Sequence, residues 1–219
     1  MERHFQEQLD ALKRQLLKMS ALAELMLADA LKVLVDRDRS RIVPIEQHEE
    51  LVNGLQREID ETCLRLIALY QPAAGDLRFI LGAVKTNNEL ERLADQAVNI
   101  SQIAQQLLAE PPLKPFVIIP KMAALAGGMM KDSLHAFLNR DVARAEDVLV
   151  RDDQLDRLKT EVTVELIERM TKDPAAPRRA VDIILVARNL ERIGDHATNI
   201  AENAIFVAMG RDIRHHAGD

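Results

Sequence analysis

The chain has 219 residues, of which 47% are hydrophobic, 29% charged and only 3% aromatic, with no Trp. Eight Gly and eight Pro are too few for the frequent tight turns of a sandwich or barrel, so the composition points to an all-α protein with ample apolar content for a core. Lys plus Arg number 29 against 35 Asp plus Glu, a formal net charge of -6, and no basic block occurs anywhere, which argues against nucleic acid as a partner.

The opening Met1-Glu2-Arg3-His4-Phe5-Gln6-Glu7-Gln8 has no basic segment followed by an apolar stretch, and no long apolar run comes later, so a soluble chain without an export signal is expected. Leu9, Leu12, Leu16, Met19, Ala23, Met26, Ala30 and Val33 recur at spacings of three and four and predict an amphipathic helix over about 4–36. Leu51, Leu55, Ile59, Leu66 and Leu69 predict a second helix ending at Tyr70. The single cysteine, Cys63, falls among Ile59, Leu66 and Ile67 and reads as a small buried hydrophobe; alone, it excludes a disulfide framework and a Cys-rich zinc site. Gln71-Pro72 interrupts, and a third helix runs from Asp76 to about 108. Glu110-Pro111-Pro112-Leu113-Lys114-Pro115 cannot be helical, which sets a first unit over 1–110 and a Pro-rich linker over 111–120. Helices over about 121–138, 142–171 and 178–209 follow, with a break at Asp173-Pro174-Ala175-Ala176-Pro177. They form a second unit over 121–210, and a polar tail over 211–219, containing His215 and His216, is expected to fray.

The two units are copies. Leu90-Glu91-Arg92-Leu93-Ala94-Asp95-Gln96-Ala97-Val98-Asn99-Ile100 lies over Leu190-Glu191-Arg192-Ile193-Gly194-Asp195-His196-Ala197-Thr198-Asn199-Ile200 at a fixed offset of 100 residues. Glu49 to Asn53 lies over Asp152 to Asp156, at an offset of 103. The expected fold is therefore two tandem, internally duplicated three-helix bundles, six long helices in all.

The third helix of each copy carries the chemistry. At about 100° per residue, Asp95 lies about 40° round from Glu91 and Asn99 about 80° round, while Leu93, Ala97, Ile100 and Ala104 fall about 180–240° away. Glu191, Asp195 and Asn199 repeat this stripe. Carboxylates at i and i+4 repel by roughly 0.2–0.5 kcal/mol on an isolated helix. Glu49 with Asn53 and Asp152 with Asp156 have the same spacing on each second helix, so four oxygen-bearing side chains per bundle would face one point if helices two and three pack antiparallel. An oxygen-only set suits hard or intermediate cations, with His196 offering a nitrogen beside Asp195. The competing reading is an intrahelical salt-bridge face, since Arg92, Arg188 and Arg192 stand three residues before Asp95, Glu191 and Asp195. A carboxylate-bound metal with hydrolase or oxidase activity is an alternative, although helical di-iron enzymes use core-facing Glu-x-x-His. Ser20, Ser101 and Ser133 lack a neighbouring base, Gly127-Gly128 lacks a following Lys-Ser/Thr, and Met19, Met26, Met122, Met129 and Met130 read as core filler.

The duplicated Leu-Glu-Arg-x-x-Asp motif, together with Gln71-Pro72-Ala73-Ala74-Gly75-Asp76-Leu77-Arg78, strongly resembles the PhoU family of bacterial phosphate-signalling regulators across nearly the whole chain. The resemblance implies a cytoplasmic, non-enzymatic protein of two three-helix bundles. It implies metal binding (iron, Mn, Mg, Ca or Zn) through acidic pairs at Glu91 with Asp95, Glu191 with Asp195, Asp152 with Asp156, and Glu49 with Asn53. Asn99, Asn199 and His196 are secondary ligand candidates. Asn53 supplies a neutral carbonyl where the family pattern has a carboxylate, so a weaker cation site is expected in the first bundle. The family role is a negative regulator of the phosphate-starvation response and of phosphate uptake. It couples the phosphate ABC transporter ATPase subunit to its sensor histidine kinase, so the implied partners are those two proteins and a second copy in a homodimer. Membrane association would come only through those partners.

Overall fold

The computed structural model describes residues 2–113 and 116–211; the tail with His215 and His216 lies outside the described residues. It comprises six α-helices and a short 3-10 turn at Arg39–Arg41: α1 (Glu2–Val35), α2 (Ile42–Tyr70), α3 (Ala74–Leu107), α4 (Ile118–Asn139), α5 (Val142–Lys172) and α6 (Pro177–Met209). All eight apolar positions read from the first periodic stretch are buried. In α2 the expectation is corrected in part. Leu51 and Leu69 face solvent, and the buried stripe runs through Ile45, Val52, Leu55, Ile59, Thr62, Cys63 and Leu66, which keep i, i+3, i+4 spacing where Leu51 and Leu69 fall off it.

The helix ends have local causes. Gln71 takes a left-handed conformation (φ 47°) before Pro72, and its N–H donates to the Ile67 carbonyl at 3.1 Å. α4 starts at Ile118, inside the stretch read as linker, because Pro120 sits in its first turn, where a missing N–H costs no helical bond. Asp141 caps α5 by accepting from the Arg144 N–H at 3.1 Å, Pro177 opens α6, and Gly210 (φ 70°) closes it. Arg37, at the end of α1, donates to the carbonyls of Leu108 at 2.7 Å and Glu110 at 3.0 Å, satisfying groups that the end of α3 leaves open.

Within each half the three helices pack on one another, and the halves then share a core, with α3 against α6 and α1 against α4. α1, α3, α6 and α4 thus enclose the centre, while α2 lies outside on α1 and α3, and α5 outside on α4 and α6. Burial follows this order: α3 and α6 each bury fifteen residues, α2 seven and α5 five. The central contact is close. A Cβ on Gly82 would come within 2.6 Å of Val207 Cγ2 and 2.8 Å of Phe137, so only glycine lets α3, α6 and α4 meet there. Among the described residues no helix is long and apolar enough to cross a membrane.

Candidate metal centres

In each half the acidic stripes of the second and third helices act on each other across the groove between them. In the first half Glu49, Asn53, Glu91, Asp95 and Asn99 are all half-buried. Partial burial first, and the Asp95 carboxylate second, hold Glu49 above the usual carboxylate range. Burial and then Asp95 raise Glu91, and burial raises Asp95, with Arg92 and His196 opposing in both cases. Asn53 and Asn99 make no side-chain hydrogen bond to any described residue, so the Asn53 carbonyl oxygen is free.

In the second half the carboxylates act on one another more strongly. Burial, followed by the charges of Asp195, Asp156, Asp153 and Glu191, pushes the Asp152 carboxyl up to about 6. Asp156 is raised by loss of water and then by Glu191, with which it also shares a side-chain hydrogen bond; Asp195 is raised by loss of water, then by Glu191. A residue that the sequence reasoning did not single out enters here. The Lys159 ammonium crosses from α5 and donates to Glu191 Oε1 at 2.7 Å. Its signal was the spacing, three residues beyond Asp156, and its alignment with the neutral Gln56 of the first half. None of the local pairs offered by Arg92 with Asp95, Arg188 with Glu191 or Arg192 with Asp195 forms, and the cation beside Glu191 is Lys159.

Backbone approach differs as well. A Cβ on Gly194 would stand 2.5 Å from Leu155 Cδ2 and 3.2 Å from Asp152 Oδ1, so α6 presses its bare backbone against α5 beside the acids. The aligned positions of the first half are Ala94 and Val52, which exchange the sizes of the two side chains.

His196 and Asn199 lie at the contact of α6 with α3. Both donate to Glu89 Oε2, His196 from Nδ1 at 2.8 Å and Asn199 from Nδ2 at 3.1 Å. Although burial works against ionisation, these hydrogen bonds keep Glu89 below its ordinary range. Glu89 is a second residue that the motif did not reveal, because its partners are more than a hundred positions away.

Among the described residues no three His, Cys, Asp or Glu side chains already converge as a coordination cage. The grooves are open acidic surfaces whose donors are oxygens, whose carboxylates are partly desolvated and whose mutual repulsion a cation would relieve. That chemistry fits a hard cation held by Glu49, Asn53, Glu91 and Asp95 in one half and by Asp152, Asp156, Glu191 and Asp195 in the other. Cys63 takes no part: burial first, then Asp60, pushes its thiol up to about 12.

A family model described as the PhoU domain matches the chain twice, over residues 16–104 and 119–204, one match on α1–α3 and one on α4–α6. The chain belongs to the PhoU family. The phosphate-specific transport system accessory protein PhoU homolog of Pseudomonas aeruginosa is 35% identical over 216 residues, covering 98% of this chain and 89% of that protein. The Aquifex aeolicus protein of the same name is 37% identical over 209 residues, 95% of each. Among solved structures, PhoU from Pseudomonas aeruginosa superposes with a TM-score of 0.90 at 35% identity over 94% of this chain and 100% of that one. The phosphate transport system regulatory protein PhoU from Streptococcus pneumoniae gives 0.86 at 25% identity over 95% and 98%. The all-α duplicated fold expected from the sequence is the fold of these PhoU structures.

Proposed function

We propose that the chain is an accessory protein of a phosphate-specific transport system. On this reading it is a cytoplasmic adaptor that binds hard cations in its two acidic grooves, docks on the transporter ATPase subunit and on a sensor histidine kinase, and restrains phosphate uptake and the starvation response when phosphate is plentiful. The observation that carries it is the coincidence of the two PhoU matches with two acidic grooves, each carrying carboxylates raised by desolvation and by one another. The role is binding rather than turnover: the relatives' names describe accessory and regulatory proteins.

In the grooves, the chain's own residues supply oxygen donors on facing helices, and a bound cation supplies the charge neutralisation that lets those helices approach. Metal occupancy would thus set the spacing of α2 on α3 and of α5 on α6, and with it the shape of the outer faces. Exposed Leu51, Leu64 and Leu69 on α2, and Val150, Val164 and Ile167 on α5, give those outer helices apolar surface for helix-mediated docking and for a homodimer contact.

The test is co-purification of the full chain with the transporter ATPase and with the kinase, comparing wild type with Asp95→Ala plus Asp195→Ala. The adaptor reading predicts that wild type retains both partners and that the double variant loses at least one. Failure of wild type to retain either partner contradicts it. Equal retention by the double variant would separate docking from metal. A phosphatase or oxidase assay on the metallated protein is expected to show no turnover.

A further inference from the structure

Where α3 packs on α6, beside the first acidic groove, Lys85, Asn88, Glu89 and Arg92 of α3 and Asn199 and Asn203 of α6 line a polar cavity of about 260 Å³. Its donors outnumber their partners. Lys85 makes no ion pair with any described residue; its Nζ lies 5.4 Å over the Phe206 ring. Arg92 makes no close ion pair with any described residue, although its charge acts on Glu89, Glu91 and Asp95. The one carboxylate, Glu89, is already occupied by His196 and Asn199. Asn88 accepts from Gln56 Nε2 at 3.5 Å through its Oδ1, which leaves its amide N–H groups uncommitted. Asn203 is only 5% exposed, faces the cavity, and makes no side-chain hydrogen bond to any described residue. Its amide is not sealed from water, so it is open to a ligand from the cavity side.

The duplication supplies a control. At the offset of 100 residues, Lys85 corresponds to Leu185 and Asn203 to Ile103, and Ile103 packs against the core. The other four lining positions stay polar in the other copy, as Arg188, Asn189, Arg192 and Asn99, so what distinguishes this cavity is Lys85 and Asn203 in place of Leu185 and Ile103.

We propose that this cavity is a binding site for a small tetrahedral oxyanion, inorganic phosphate or the phosphate group of a small monoester, held between Lys85 and Arg92 on α3 and Asn203 on α6. Two cations repel a metal ion here, which sets the cavity apart from the acidic grooves. Donors on two facing helices suit a ligand that accepts in every direction better than a planar carboxylate, and the small volume excludes a bulky ester. Because α3 and α6 come from different repeats, such a ligand ties the two halves together.

The experiment is calorimetric titration of inorganic phosphate, and separately of glycerol 3-phosphate, into the chelator-treated full chain at fixed ionic strength. It requires neither metal nor partner, so its outcome is independent of the adaptor reading. One saturable site per chain is expected; preference for the free anion or for the ester identifies the source of the phosphate group. Lys85→Gln plus Arg92→Gln, both on exposed positions, should weaken uptake about tenfold or more. Glu89→Gln, which removes the only negative charge of the lining, should tighten it. Asn203→Ile, carrying the other copy's residue, should abolish uptake while the ligand-free melting temperature stays equal or rises. The proposal is overturned if neither anion saturates at millimolar concentration, if the Lys85/Arg92 double variant binds as wild type does, or if Glu89→Gln weakens binding.

Discussion

The two acidic grooves descend from one sequence yet reach the same charge by different means. The first holds three carboxylates, Glu49, Glu91 and Asp95, with neutral Asn53 and Gln56 at the places where the second has Asp156 and Lys159. Four carboxylates less one ammonium leave the second groove with the same formal charge of -3 as the first. The distribution differs sharply, because Lys159 is spent on Glu191 and does not prevent Asp152 from being pushed up to about 6. Charge total is therefore a poor guide to how a groove will treat a cation. What matters is which carboxylates are left facing their neighbours without a partner, and in the second groove those are Asp195 and Asp152, the latter beside the bare backbone of Gly194.

The largest way to break the comparison is steric. Gly194→Ala places a methyl group 2.5 Å from Leu155 Cδ2 in the present packing, and should destabilise the chain by about 1–3 kcal/mol in denaturant unfolding. Adding Leu155→Val, which gives the second groove the residues of Val52 and Ala94, should recover most of that loss. Lack of recovery would mean that the two halves do not solve this contact by exchanging side-chain size.

A smaller effect comes from pH. The Asp152 carboxyl ordinarily titrates near 3.8 and here near about 6, so between those values the folded chain holds a proton that the unfolded chain has released. Each step up in pH across that window favours unfolding, and metal-free stability should fall between pH 3.8 and about 6. Asp152→Asn should flatten this slope and raise the metal-free melting temperature at neutral pH by a few degrees, whereas Glu49→Gln in the first groove should do so less. A melting temperature that climbs over the same pH range in chelator would contradict the repulsion described for the second groove.

The smallest expected changes sharpen the comparison from both sides. Asn53→Asp should strengthen Mn²⁺ uptake by the first groove, and Lys159→Gln should strengthen uptake by the second by freeing Glu191, each by about threefold or more in calorimetry. If Lys159→Gln weakens uptake instead, Lys159 orders Glu191 for the metal rather than competing with it.

How much of this was legible follows from the range of each interaction. Periodicity and proline found all six helices to within a few residues, since the apolar stripe and the breaks at Pro72, Pro111 to Pro115 and Pro174 are written locally. The acidic grooves were legible as stripes because i, i+4 spacing is local and the duplication repeats it. The packing of α3 on α6 was not read from the sequence, although it left a trace in small residues such as Gly82, Ala83, Ala97, Ala197 and Ala201, which let central helices close up. Lys159 with Glu191, and Glu89 with His196 and Asn199, are pairs between helices, and no periodicity within one helix announces them. Intrahelical salt bridges from Arg92, Arg188 and Arg192 were equally compatible with the spacing, and only the three-dimensional placement shows those arginines without their expected partners.

The most direct test of the account is calorimetric titration of Mn²⁺ into the chelator-stripped full chain, with metal analysis of the saturated protein, comparing wild type with Asp95→Asn plus Asp195→Asn. Cation uptake in both grooves, the second tighter than the first, with both lost or much weakened in the double variant while its helical signal is unchanged, is the predicted result. No stoichiometric uptake by wild type, or identical uptake by the double variant, would contradict the assignment of these grooves as cation sites.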